Sequence, residues 1–245
     1  MRKVSILFFT LIACAAHAQN QVQKPAQKPG PTSVPQNQTQ PQNDRLTEHF
    51  ARKNSLANRW NDADVARDAL YDLITEYPGN DSMLYVLAVD YYSNQKYISA
   101  VLVAQDLLAR NPKNTEVLQL AGSGFEALNL NDKALTNYES LYLQTNSTAT
   151  LYKMAVLQYG LSKFVESKTN VEILLTKGDV ETMKVKLTDS ENKQKEFPLK
   201  VSILNLKGML AQQTGDKIGA KKAFEEALAV APDFPPAKQN LAKLK

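Results

Sequence analysis

The sequence is poor in the side chains that enzymes most often use for covalent and metal chemistry. Its 245 residues include one cysteine and two histidines. Cys14 and His17 lie in an N-terminal segment with the features of a signal, which leaves His49 as the one histidine beyond it. Without a second histidine or a cysteine, the rest of the chain has neither a Ser–His pair nor a Cys or His cluster for zinc. We therefore expect a protein that is not an enzyme, with no catalytic residue, no cofactor and no metal site.

The chain also lacks a strong excess of either charge. It has 29 Lys and Arg residues against 25 Asp and Glu residues, a formal net charge of +4. No basic cluster stands out, and the pair Lys221-Lys222 is typical of a solvated helix face. The composition therefore predicts no nucleic-acid partner.

Residues 1–18 have the pattern of a secretory signal peptide. Arg2 and Lys3 precede an apolar run that is too short to span a membrane stably, and Ala16-His17-Ala18 fits signal peptidase. We expect cleavage after Ala18 and export to the periplasm of a Gram-negative cell, which leaves a mature chain without cysteine and hence without disulfides.

A second interpretation of the same segment stays open. Leu11-Ile12-Ala13-Cys14 resembles a lipobox, in which Cys14 would be acylated and the protein would be an outer-membrane lipoprotein. We place it second because it leaves a signal of only thirteen residues. Contact with a membrane is expected only under this alternative. Residues 19–43, rich in Gln, Pro and Asn, cannot bury enough apolar surface to offset their chain entropy, so we expect a disordered linker.

A period of 34 residues runs through the rest of the chain. Pro78 and Pro112 share one phase of it, and Ala66, Ala100 and Ala134 share another. Pro232 and Ala220 take the same two phases when the count restarts at residue 201. Within each period, apolar residues recur at steps of three and four with one polar break, which predicts a helix–turn–helix hairpin. The units are 47–80, 81–114, 115–148, 149–178 and 201–234, and 235–245 is expected to form a capping helix. The fourth unit fits only if its turn has lost one residue.

These units resemble the tetratricopeptide repeat (TPR). The last unit carries the resemblance clearly, with Gly208 and Ala220 as the small residues that let paired helices approach and Pro232 as the residue that ends the second helix. The resemblance implies an all-α fold, a TPR superhelix or α-solenoid of about five helix–turn–helix repeats. The unit 47–80 is degenerate, which is common for a terminal repeat.

The segment 179–200 interrupts the period. Val185 and Leu187, then Phe197 and Leu199, alternate with polar residues around a turn-like stretch at 189–192. That alternation favours a small β-hairpin inserted before the last repeat. A polar loop and a helix extension remain as alternatives.

The TPR resemblance also implies where a partner would bind. In such arrays the first helices line a concave groove, and repeat positions 2, 5, 9 and 12 face it. The groove candidates are Tyr85, Val89, Tyr92, Gln119, Ser123, Glu126, Lys153, Leu157, Asn205, Met209 and Gln212. Tyr85, Val89 and Tyr92 form the apolar-aromatic patch of this set, although Tyr92 has the alternative of packing against the neighbouring hairpin.

The resulting functional expectation is a protein–protein interaction scaffold of the cell envelope that binds a protein or peptide partner of unknown identity. One alternative is a lipid-anchored accessory subunit of an envelope assembly complex, and another is a peptidoglycan- or glycan-binding accessory protein. The oligomeric state is not predicted. Asp81-Ser82-Met83 resembles a signal for periplasmic O-glycosylation, which marks Ser82 as a modification candidate.

Overall fold

The structure is a computed structural model that describes residues 41–188 and 194–244. The signal peptide, Cys14, most of the linker and the tip of the predicted hairpin lie outside the described residues. Within them the helices are α1 (Pro41–Arg59), α2 (Ala63–Glu76), α3 (Asp81–Ser93), α4 (Tyr97–Arg110), α5 (Thr115–Ala127), α6 (Asn131–Thr145), α7 (Thr148–Gly160), α8 (Phe164–Thr176), α9 (Leu199–Gln213), α10 (Lys217–Val230) and α11 (Pro235–Lys243). A short 3₁₀ helix (Gly178–Glu181) and strands β1 (Lys184–Thr188) and β2 (Gln194–Pro198) separate α8 from α9.

The described residues fall into two compact units that divide between Leu87 and Ala88, inside helix α3. In the first unit, α1 and α2 pack as a helical hairpin. Asp62 caps α2 by accepting from the Val65 amide at 3.1 Å, and Asn54 Nδ2 donates to the Ala66 carbonyl at 2.7 Å. The degenerate first repeat therefore uses a polar contact between its helices, at a site where Ala66 is buried.

In the second unit each helix from α4 to α10 packs against the next one along the chain. Small residues set the closest approaches. A Cβ on Gly122 would lie 2.8 Å from the ring of Tyr138, and a Cβ on Gly208 would lie 2.4 Å from the ring of Phe224. Both aromatic rings are fully buried. The glycines thus let the first helix of a hairpin meet an aromatic ring of the second, and the predicted helix–turn–helix repeats are confirmed.

The turn inside each hairpin contains one residue with a left-handed backbone. These residues are Asn61, Gln95, Asn129, Ser162 and Gly215. Asn61, Gln95 and Asn129 are 34 residues apart, whereas Ser162 follows Asn129 after 33. The turn of the fourth repeat therefore comes one residue earlier than the 34-residue period predicts, but the turn itself keeps its full length.

The missing residue lies in the connection before the fourth repeat, and this corrects the sequence prediction. Helices α6 and α7 are joined by Asn146 and Ser147 alone, and Asn146 takes the left-handed conformation (φ 47°) that a reversal this tight needs. Ser147 then caps α7 by accepting from the Thr150 amide. The fourth repeat starts at Thr148, so its groove positions are shifted by one residue from those assigned on sequence.

The inserted β-hairpin is confirmed. Strands β1 and β2 are antiparallel, with Val185 opposite Phe197 and Leu187 opposite Lys195. Val185, Leu187 and Phe197 are buried, and the Phe197 ring meets the ring of Phe234 edge to face at 5.1 Å. Leu199 is not part of the strand pattern: it begins α9, and its amide donates to the Met183 carbonyl at 2.8 Å.

Helix α11 packs on α10 and α9, with Ala237 fully buried. It follows Phe234 directly, so its first residues are anchored beside the hairpin. The hairpin and α11 consequently both cover α9.

Candidate functional site

A polar cluster in the second unit joins two first helices, α5 and α7, with α6. Gln119 Nε2 donates to Ser123 Oγ at 3.0 Å, and Ser123 Oγ lies 3.1 Å from Tyr138 Oη. Tyr138 Oη donates to Glu126 Oε2 at 2.6 Å, and Lys153 Nζ donates to the same oxygen at 2.6 Å. These five residues, here called the Glu126 cluster, join α5, α6 and α7 by side-chain hydrogen bonds.

The cluster combines a partly exposed ion pair with a buried phenol. The side chains of Lys153 and Glu126 are 21% and 34% exposed. The Lys153 ammonium also lies 5.2 Å from the centroid of the Tyr138 ring, within the range of a cation–π contact. Burial, then the Glu126 carboxylate, raises the pKa of Tyr138, so its hydroxyl stays protonated and acts as a donor to Glu126.

The local sequence explains how the cluster forms. Gln119, Ser123 and Glu126 follow each other at steps of four and three, so they share one face of α5. Tyr138 comes from α6, and its ring passes over Gly122, where no side chain blocks it. The glycine that allows close helix packing therefore also lets the phenol reach Glu126.

Tyr92 extends the cluster toward the preceding hairpin. Its hydroxyl lies close to Ser123, and its ring meets Tyr97 edge to face at 5.4 Å. Burial, then the neighbouring Tyr97 and Glu126, raises the pKa of Tyr92. Tyr92 thus makes the contact with the neighbouring hairpin that the sequence offered as its alternative role, and it is half-buried.

The structure brings together five of the residues selected on sequence: Tyr92, Gln119, Ser123, Glu126 and Lys153. Val89 is exposed on α3, and Tyr85 is half-buried on the same helix but belongs to the first unit. Tyr138 was missed because its apolar spacing assigns it to the core. The sequence did contain one signal for its role: the Tyr138 hydroxyl stands at a core position, and the Glu126 carboxylate lies on the preceding helix.

Two of the residues selected on sequence are buried. Leu157 is 7% exposed because of the one-residue shift, which puts Val156 and Tyr159 at the groove positions instead. Asn205 is 9% exposed, and its Oδ1 accepts from Asn240 Nδ2 of α11 at 3.0 Å. The same one-residue shift places Lys153 beside a groove position and not at one, yet its side chain still reaches Glu126.

Helix α9 explains the burial of Asn205. It is buried without interruption over residues 201–206, because the 3₁₀ helix, both strands and α11 contact it in addition to its helical neighbours. Met209 is half-buried, and its Sδ lies 3.5 Å from Asn205 Nδ2, whereas Gln212 is exposed. Only the last turns of α9 therefore remain accessible.

Ser82 lies in the first turn of α3, in the first unit, and is exposed. Asn80 Oδ1 accepts from the amides of Ser82 and Met83, and residues 76–82 line a shallow concavity there. Across the described residues no group of three or more His, Cys, Asp or Glu side chains could hold a metal ion. None of the described helices is both long enough and apolar enough to cross a membrane.

No protein-family model and no curated protein matches the chain. Solved structures do match it. YrrB, a TPR protein with an unusual peptide-binding site, superposes with a TM-score of 0.63 at 12% identity, over 83% of this chain and 98% of that one. The chain has the TPR fold. A TPR protein from Parabacteroides merdae gives 0.61 at 18% identity over 82% and 72% of the two chains, and MamA gives 0.59 at 14% over 82% and 96%.

The TPR fold places the Glu126 cluster in context. Helices α5 and α7 are the first helices of their repeats, and they carry Gln119, Glu126 and Lys153. The all-α TPR class with a hairpin before the last repeat, predicted on sequence, is confirmed.

Proposed function

We propose that this TPR chain is a protein–protein interaction scaffold, and that an extended segment of a partner binds across α5 and α7 at the Glu126 cluster. The observation that carries the proposal is the cluster itself, a hydrogen-bonded ion pair held at the surface by a buried phenol. The peptide-binding site of YrrB supports the same use of this fold.

The cluster is organised before any partner arrives. Each side chain in it is already held by a neighbour, so binding costs little further rotamer entropy. Exposed Gln119 still offers an amide oxygen and a second N–H, the acceptor and donor that a peptide main chain requires.

The charges of this surface also bear on the partner. Lys153 is paired with Glu126, and Glu116 is an exposed carboxylate on the same helix α5. Lys153 is the single Lys or Arg residue of helices α5 and α7, so these two described helices hold no second cation for a C-terminal carboxylate or an acidic tail. We therefore expect a segment that is uncharged or weakly basic.

A crosslinking experiment tests the proposal in intact cells. A photoreactive phenylalanine is placed at Gln119 or Val156 on the first helices, and at the exposed Thr136 or Thr169 on the second helices as matched controls. We expect the same polypeptide to be crosslinked from both first-helix positions and from neither control. Crosslinks of equal yield from all four positions, or from the controls alone, would contradict the proposal.

A pair of substitutions then tests the cluster with that identified polypeptide. Glu126→Gln with Lys153→Gln removes the ion pair, whereas Glu226→Gln with Lys222→Gln removes an exposed pair on α10. We expect affinity to fall about tenfold for the first variant, since it loses a charge-assisted contact, and to stay unchanged for the second. Unchanged helical circular dichroism would show that both variants remain folded.

We also propose that the scaffold works in the periplasm after cleavage at Ala18. The signal-like segment 1–18 supports this location. The intact mass of the protein isolated from cells tests it, since the expected chain begins at Gln19. An acylated chain beginning at Cys14 would instead favour the lipid-anchored alternative, and a mass above that of the bare chain would support glycosylation, with Ser82 as its expected site.

A further inference from the structure

The turns inside the repeats of the second unit carry exposed aliphatic side chains. Ile98 is 65% exposed, Val165 78% and Ile218 85%, and each is the second residue of the second helix of its repeat. The third repeat has Asp132 at this position, but the residue before the helix, Leu130, is 44% exposed. We call Ile98, Leu130, Val165 and Ile218 the turn row.

The turn row lies along one edge of the second unit. Successive helices there reverse direction through short turns, so all turns within repeats fall at the same end of the helices. The connections between repeats, and with them the β-hairpin beside Phe234, fall at the opposite end. The row is therefore separate from the hairpin.

These residues contradict the local preferences of a helix N-terminus. The first turn of a helix favours small polar and acidic residues, and an exposed β-branched residue there gains nothing from packing. Three of the four repeats in this unit nevertheless have Ile or Val at that position. A residue that opposes the local helix preference without any compensating packing is expected mainly at functional surfaces.

Each turn also carries a lysine close to its aliphatic residue. Lys96, Lys133, Lys163 and Lys217 are exposed and lie within three residues of the row. Three acidic residues share these turns, and one of them, Asp216, accepts a hydrogen bond from the Gly219 amide at 2.8 Å. The acids are Asp132, Glu166 and Asp216. Lysine beside an isolated aliphatic tip is the combination that enters a bilayer interface, because the ammonium binds lipid phosphate while the stem stays with the apolar chain.

The spacing of the tips distinguishes lipid from protein. Each tip belongs to a different repeat, polar turn residues stand beside it in the sequence, and helices that pack side by side have axes about 10 Å apart. A protein partner usually buries a contiguous patch, whereas a fluid acyl layer admits separate side chains. The turn of the first unit has the same composition, with Arg59, Trp60 at 71% exposure and Val65 at 40%. Tryptophan is itself a residue of membrane interfaces.

We propose that the turn row binds the surface of a phospholipid bilayer, with its aliphatic tips in the outer acyl region and its lysines at the phosphates. This contact needs no lipid on Cys14. It is also independent of partner binding at the Glu126 cluster, so either proposal can fail alone.

Depth-dependent quenching tests the proposal in the full-length chain. Trp60 is the single tryptophan, so Trp60→Phe gives a silent background. In that background Val165→Trp places the reporter in the row, and Glu172→Trp places it at an exposed position two turns along the same helix. The probe is a vesicle of mixed zwitterionic and anionic phospholipid with brominated acyl chains. We expect quenching and a blue shift at 165 and neither at 172.

The comparison of 165 with 172 is local, so insertion by residues 1–18 affects both proteins equally. A second variant, Ile98→Gln with Leu130→Gln, Val165→Gln and Ile218→Gln, should bind vesicles about tenfold more weakly or worse with unchanged helical circular dichroism. Equal quenching at 165 and 172 would overturn the proposal, as would unchanged vesicle binding by the quadruple variant when it and its parent both begin at Gln19, so that residues 1–18 do not contribute to binding. Crosslinking of a protein through position 165 without vesicle binding would assign the row to a protein partner instead.

Discussion

Gly208→Ala is a sharp test of how the repeats of this protein pack. The glycine lies in α9, under the ring of Phe224 in α10, and an added Cβ would be 2.4, 2.6 and 2.8 Å from three ring atoms. Phe224 is fully buried, so its ring has no free space to enter. Alanine favours the helix by about 1 kcal/mol, and overpacking typically costs about 1–3 kcal/mol and occasionally more. Three contacts this short place the overpacking cost at about 3 kcal/mol or more. After the gain in helix preference is subtracted, we expect the free energy of unfolding to fall by about 2 kcal/mol.

Gly160→Ala is the matched control in the same unit. Gly160 ends α7, has no positive φ, and an added Cβ would meet nothing within 4 Å. Only the helix preference acts there, so stability should rise by up to about 1 kcal/mol. Urea unfolding followed by far-ultraviolet circular dichroism should move the two midpoints in opposite directions. A midpoint that rises for both variants would refute the packing of Phe224 over Gly208.

Further predictions concern a buried phenol, the ion pair and the hairpin. Burial raises the pKa of Tyr152 to about 12, so the stability that the neutral phenol provides is complete below pH about 10 and is lost as the pH rises to about 12. Tyr152→Phe should remove a pH dependence of about 3 kcal/mol from the free energy of unfolding, measured by urea titrations at each pH. Lys153→Met should lower the free energy of unfolding by about 1 kcal/mol or less, because the ion pair with Glu126 is partly solvated. A double-mutant cycle with Glu126→Gln should isolate the interaction energy of the two side chains. Phe197→Ala should lower the free energy of unfolding by about 3 kcal/mol, because the ring is buried against Phe234. It should also expose the Val185 amide to hydrogen exchange. If this amide stayed as protected as in the wild type, the packing would be contradicted.

The regular part of the fold was predictable because each repeat uses local signals. Small residues such as Gly208 and Ala220 recur at a fixed spacing where helices touch, and alternation at Val185 and Leu187 identified the hairpin. The fourth repeat was harder, because a single deletion gives the same sequence pattern whether it lies in the turn or in the preceding connection. Only the backbone of Asn146 and Ser162 separates the two cases.

The candidate site could be predicted in part. Gln119, Ser123 and Glu126 follow from the periodicity of one helix, which is a local property. The apolar spacing of α6 places Tyr138 in the core, where its ring is indeed buried, but its hydroxyl reaches Glu126 through a gap left by Gly122. The burial of Asn205 depends on α11 and an inserted hairpin that pack against α9 from other parts of the chain, and no pattern within α9 indicates it.

The connecting segment (the joint) between α8 and α9 shows how this protein can tolerate an insertion between two packed helices. The two helices are in contact although a 3₁₀ helix and a whole β-hairpin intervene between Thr176 and Leu199. Closing a longer loop is inexpensive, about 0.6 kcal/mol for each doubling of its length, and this one also packs Val185, Leu187 and Phe197. Grafting an epitope or a reporter between β1 and β2 should therefore leave the helix stack intact, which makes the joint a natural insertion point for engineering.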